Sequence, residues 1–78
     1  MIEELKRSLQ LFENVGYETI LTEKKVIINN PLNQRRAVIY LKERNLIEVV
    51  AYNSNVELQR KKLDFHQKRF ENIVDYIL

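Results

Sequence analysis

Arg36-Ala37-Val38-Ile39-Tyr40-Leu41, then Lys42-Glu43-Arg44-Asn45, then Leu46-Ile47-Glu48-Val49-Val50-Ala51-Tyr52: the reading of the whole chain starts from this stretch. Two runs rich in β-branched and aromatic residues flank a short polar link, which is the pattern of a β-hairpin. Asn45 tolerates positive φ and is expected to close the turn. Alternation puts Ala37, Ile39 and Leu41 on one face, matched by Ile47, Val49 and Ala51 on the partner strand. The other face carries Val38, Tyr40, Lys42, Glu48, Val50 and Tyr52, so it is half apolar.

Upstream, Val26-Ile27-Ile28 reads as a further strand stopped by Asn29-Asn30-Pro31. Tyr17–Leu21 is a short candidate strand before it. The first segment changes period: Ile2, Leu5, Leu9 and Phe12 form one helical stripe, with Glu3, Lys6, Arg7, Gln10, Glu13 and Asn14 facing away. Glu3 and Glu4 suit the start of that helix. Gly16, the only glycine, suits a left-handed position just past its end.

Downstream, Ser54-Asn55-Val56-Glu57 has the form of a capping box. No glycine or proline follows, so the expectation is one helix from Asn55 to the last residue, about 35 Å long at 1.5 Å per residue. Val56, Leu63, Phe70, Val74 and Ile77 would line its main stripe, with Ile73 at the edge. Leu58, Phe65 and Tyr76 would lie nearly opposite, flanked by Lys62 and Arg69. Glu57–Lys61 and Asp64–Lys68 would be solvated i,i+4 pairs. Gln59, His66 and Gln67 interrupt the stripe, which argues against an isolated coiled coil. The expected architecture is a single α+β domain over residues 1–78. It has an N-terminal helix, an antiparallel meander of three to four strands, and a long C-terminal helix packed on one sheet face.

Composition sets further bounds. With 78 residues, 45% hydrophobic and 31% charged, the chain has a globular balance and room for one core. A core this small supplies only about 3–5 kcal/mol unless something reinforces it. The chain has no cysteine, which excludes disulfides and cysteine-bound zinc and fits a reducing compartment. No apolar run reaches the roughly 20 residues of a membrane helix, and the acidic, periodic start is not a signal peptide. The expected location is therefore cytoplasmic, with no membrane partner. Abundant Lys, Asn and Ile with little Ala, Gly and Pro suggest an AT-rich genome, as in a small accessory protein of a bacterium or its phage.

Catalytic patterns are missing. His66 is the only histidine and is expected to be a partly buried structural residue. No companion ligands stand at metal spacing, so neither a metal site nor a cofactor is expected. Ser54 is accounted for as a cap, which leaves Ser8 without a triad. One glycine cannot build a phosphate loop. Glu23-Lys24-Lys25 has a form seen in some nuclease cores, but no strand supplies the accompanying aspartate. An enzyme is not expected.

Charge is uneven. Residues 24–69 hold eleven Lys and Arg against four Asp and Glu, whereas residues 1–23 hold two against five. The leading expectation is a small non-enzymatic protein-interaction or regulatory protein. Its docking surface would be Leu58, Phe65 and Tyr76 beside Lys62 and Arg69, the half-apolar sheet face, or both. The partner would be another protein or a second copy in a homodimer. The alternative is nucleic-acid binding through Arg35, Arg36, Arg60, Lys61 and Lys62, with Tyr40 and Tyr52 stacking bases. The helix–strands–helix order loosely parallels that of double-stranded-RNA-binding domains, but their Gly-Pro-His loop and lysine pattern are absent.

Overall fold

The helical spacing of Leu5, Leu9 and Phe12 is realised in the computed structural model, which describes residues 1–78. These residues form the buried side of α1 (Ile2–Asn14), and Ser8 is buried between them, while Ile2 is exposed. Gly16 follows at φ 102 and its N–H donates to the Glu13 carbonyl. That backbone conformation strains any residue with a Cβ, so the expected role of this glycine holds.

Five strands follow: β1 (Glu18–Leu21), β2 (Lys25–Asn29), β3 (Arg35–Leu41), β4 (Leu46–Asn53) and β5 (Val56–Asp64), then α2 (Gln67–Ile77). They form one antiparallel meander in the order β1-β2-β3-β4-β5. The hairpin read from Arg36 to Tyr52 is present, with Ala37 opposite Ala51, Ile39 opposite Val49 and Leu41 opposite Ile47. Its turn differs in one detail. Arg44, not Asn45, takes the positive φ, at 56.

Both helices cover one sheet face. Leu5, Leu9 and Phe12 of α1 and Phe70, Val74 and Ile77 of α2 bury Val26, Ile28, Ala37, Ile39, Ile47, Val49, Ala51 and Leu63. Phe70 is the aromatic hub. Its ring centroid lies 6.3 Å from that of Phe12, edge-on, and 5.3 Å from that of Phe65. Between the helices, the buried Ser8 hydroxyl donates to Glu71 Oε2 at 2.7 Å. The Asn30 and Asn33 side-chain amides donate to the Leu78 carbonyl oxygen at 3.1 and 2.9 Å, fastening the end of α2 to the β2–β3 loop.

The long C-terminal helix is corrected. Residues 56–64 form a fifth strand, and α2 is only 11 residues long. The meander therefore has five strands rather than three or four. Ser54 is not a helix cap. It sits in the two-residue β4–β5 turn at φ 55, and its N–H donates to the Gln34 carbonyl. Glu57 turns to Arg60 instead of the Ser54 amide. Leu, Gln, Arg and Lys are strong helix formers, so local preference favoured a helix here. The ladder overrode it. Without β5, the β4 backbone would be left with unpaired N–H and C=O groups beside an apolar core, a costly arrangement. Helical pairing of Glu57 with Lys61 and of Asp64 with Lys68 is lost with the helix. Of the stripe, Leu63, Phe70, Val74 and Ile77 still reach the core and Val56 is exposed.

Candidate functional site

The sheet face away from the helices is the half-apolar one. Val38 and Val50 lie there, outside the main core, yet Val50 is 0% exposed. Its register neighbours are Val38 on β3 and Arg60 on β5, with Glu48 and Tyr52 two residues away on its own strand. Long side chains seal this face by laying apolar stems across it. The Arg36 guanidinium stands 4.8 Å from the Tyr52 ring centroid, and Lys42 Nζ stands 5.7 Å from that of Tyr40. Both are cation–π placements.

Glu48, only 6% exposed, is the charge centre of that face. Its Oε1 meets Arg60 at 3.3 Å and Lys42 at 3.8 Å. Arg60 also reaches Glu57, with contacts of 2.8 and 3.3 Å to its two carboxylate oxygens. The hydrogen bond from Arg60, reinforced by its charge, lowers the Glu57 pKa below the ordinary 4.5. Reciprocally, the bond to Glu57 raises the Arg60 pKa. These carboxylates hold cations.

A groove of about 540 Å³ opens on the other face, between α2 and the β4–β5 hairpin. α1 approaches β1 and α2 approaches β3, and of β5 only Leu63 is buried. Val49 and Ala51 from β4, with Ile73 and Ile77 from α2, give an apolar floor; Tyr76, 87% exposed, stands at its side. The rim is Gln59 and Lys61 from β5 and His66, Lys68, Arg69 and Asn72 from α2 and its cap. No acidic residue lines the groove. The ion pairs of the molecule are Met1–Glu4, Lys42–Glu48, Arg60–Glu48 and Arg60–Glu57, so Lys61, Lys62, Lys68 and Arg69 have no carboxylate partner.

The docking surface anticipated on one helix is therefore dispersed. Tyr76 and Arg69 meet in the groove. Leu58, 51% exposed, lies on β5 at the Ala51/Tyr52 register shift, outside the groove. Phe65 is half-buried against Phe70 and does not line the groove. Lys62 belongs to the opposite sheet face, across from Glu48. Among the residues considered for nucleic acid, Arg36, Tyr40, Tyr52, Arg60 and Lys62 share that face. Arg35 is on the helix side at the start of β3, paired with Asn53, and Lys61 joins the groove.

His66 is exposed rather than partly buried, and it caps α2: its Nδ1 accepts from the Arg69 N–H at 3.5 Å. Sequence reasoning missed Gln59, Lys68, Asn72 and Ile73 as groove residues because it ran a helix through residue 59. The Asn53-Ser54-Asn55 cluster, a turn signal between two extended runs, could have revealed them. No helix is long and apolar enough to cross a membrane. No protein-family model, curated protein or solved structure matches this chain.

Proposed function

We propose that this is a non-enzymatic protein-interaction module that receives another protein in the groove between α2 and β5. The observation carrying this reading is a groove with an apolar floor, an exposed Tyr76 at its side and a rim bearing only cationic and neutral groups. Aromatic and arginine side chains beside an apolar depression are the usual anchors of protein interfaces. The nucleic-acid alternative draws less support. Tyr52 and Tyr40 are already faced by Arg36 and Lys42, and Arg60 is held between two glutamates, so the stacking platform is occupied by the chain's own cations.

A photo-crosslinking residue tests the site. Tyr76→p-benzoylphenylalanine is expected to give discrete protein adducts in cells, whereas Ile20→p-benzoylphenylalanine, on the opposite face at the far edge, gives none. Adducts at position 20 alone, or nuclease-sensitive adducts at 76, would replace this reading. Adducts of the chain with itself would make it a homodimer.

A further inference from the structure

Resting on that reading, we infer how the partner binds: an extended segment containing a contiguous acidic run adds to β5 as a sixth strand, beside the groove.

The backbone supplies half of the argument. β5 is nine residues long and forms one edge of the sheet. The Lys42 N–H donates to the Leu46 carbonyl at 2.9 Å and the Phe65 N–H donates to the Asn45 carbonyl at 2.6 Å. Bonded pairs alternate along an antiparallel ladder. Continuing from these two bonds through the register, Gln59, Lys61 and Leu63 bond to β4. The N–H and C=O groups of Arg60, Lys62 and Asp64 therefore point outward, where an added strand would pair with them.

The side chains supply the other half. Arg60, Lys61 and Lys62 are consecutive, so they project to both faces of the strand. Lys61 points toward the groove, where Lys68 and Arg69 add to its charge, and Lys62 points to the opposite face. Neither lysine has a carboxylate partner in the molecule. An incoming strand meets cations on both of its faces, so complementarity requires adjacent acidic residues rather than alternating ones. An apolar residue two positions from the acid opposite Lys61 would stand opposite Gln59, at the mouth of the groove.

In the register centred on Lys61, the same charges disfavour a second copy of β5. Antiparallel pairing of two β5 edges centred on Lys61 would set Lys61 against Lys61 and Arg60 against Lys62, and like charges directly opposite destabilise a sheet. Lysine on an edge is a common guard against self-pairing. Here the guard also selects what can pair.

The test uses the full chain and the blocked peptide Val-Thr-Val-Glu-Glu-Glu-Thr. Backbone resonances of Arg60, Lys62 and Asp64 should shift on titration, and their amide exchange should slow. Lys61→Gln/Lys62→Gln should weaken binding at least tenfold. Two peptide isomers, N-methylated at odd or at even residues, separate strand pairing from charge attraction. One isomer should lose at least tenfold in affinity and the other should stay within threefold. Equal binding by both isomers, shifts confined to residues away from β5, no binding at low salt, or self-association of the chain through β5 would each overturn strand addition. If Tyr76 still crosslinks a protein partner in that event, only the binding mode falls. If it does not, the groove reading falls as well.

Discussion

On the helix side of the sheet, Val26, Ile28 and Ile39 lie under Leu5, Leu9, Phe12, Phe70 and Val74. On the other side Val50 is equally buried with no helix above it, enclosed by the stems and rings of its neighbours and by the ion cluster on Glu48. The first face excludes water with interlocking apolar volume. The second does so with a thin layer of arginine, lysine and tyrosine, in which Arg36 Nε is itself buried without a hydrogen-bond partner. The lesson concerns function: a sheet face that looks open in a strand diagram can have its tyrosines and most of its cations engaged, here all but Lys62 at the β5 edge. The spare capacity lies instead at the β5 edge and beside α2.

Three substitutions sharpen or break this contrast. The largest effect belongs to Phe70→Ala. It removes a 0%-exposed ring touching both Phe12 and Phe65 and should cost about 3–5 kcal/mol in urea unfolding. In a domain this small, that approaches the whole stability. Glu48→Ala should cost less, about 1–3 kcal/mol by the same measurement, because it strips a shared acceptor from Lys42 and Arg60 at a site that water can partly reach. A loss as large as that of Phe70→Ala would mean that the outer layer is a second core of equal weight.

Glu57→Gln should have the smallest effect, and one that depends on pH. The folded pKa of Glu57 is lowered, so its contribution is complete above the ordinary value of 4.5 and is lost as pH falls through the folded value. The melting temperatures of wild type and variant should differ slightly at neutral pH and converge in acid. A gap that widened in acid would contradict the Arg60 pairing.

How much was legible in the sequence follows the same division. α1, Gly16 and the hairpin strands from Arg36 to Tyr52 were readable because period and burial agree there, although the positive φ of the hairpin turn falls on Arg44 rather than Asn45. The apolar face of Ala37, Ile39, Ile47, Val49 and Ala51 follows directly from alternation. Residues 56–64 were not readable, because Glu57, Leu58, Gln59, Arg60, Lys61 and Lys62 favour a helix locally, while the requirement for a strand comes from the unpaired side of β4. That requirement is non-local. The candidate site was only partly legible for the same reason: Tyr76 and Arg69 were picked out, but on a helical face shared with Leu58 and Phe65 that does not exist. Only the hairpin brings Lys61 up to face Arg69.

The meander has a kinetic consequence. Its four ladders join strands that are neighbours in sequence, across links of two to five residues, so each closes a short loop at small entropic cost. The contact between the helices is of another kind, since Ser8 and Glu71 are 63 residues apart. The non-local cost of reaching the native state is thus concentrated in docking the two ends of the chain over a sheet that local pairing can largely build.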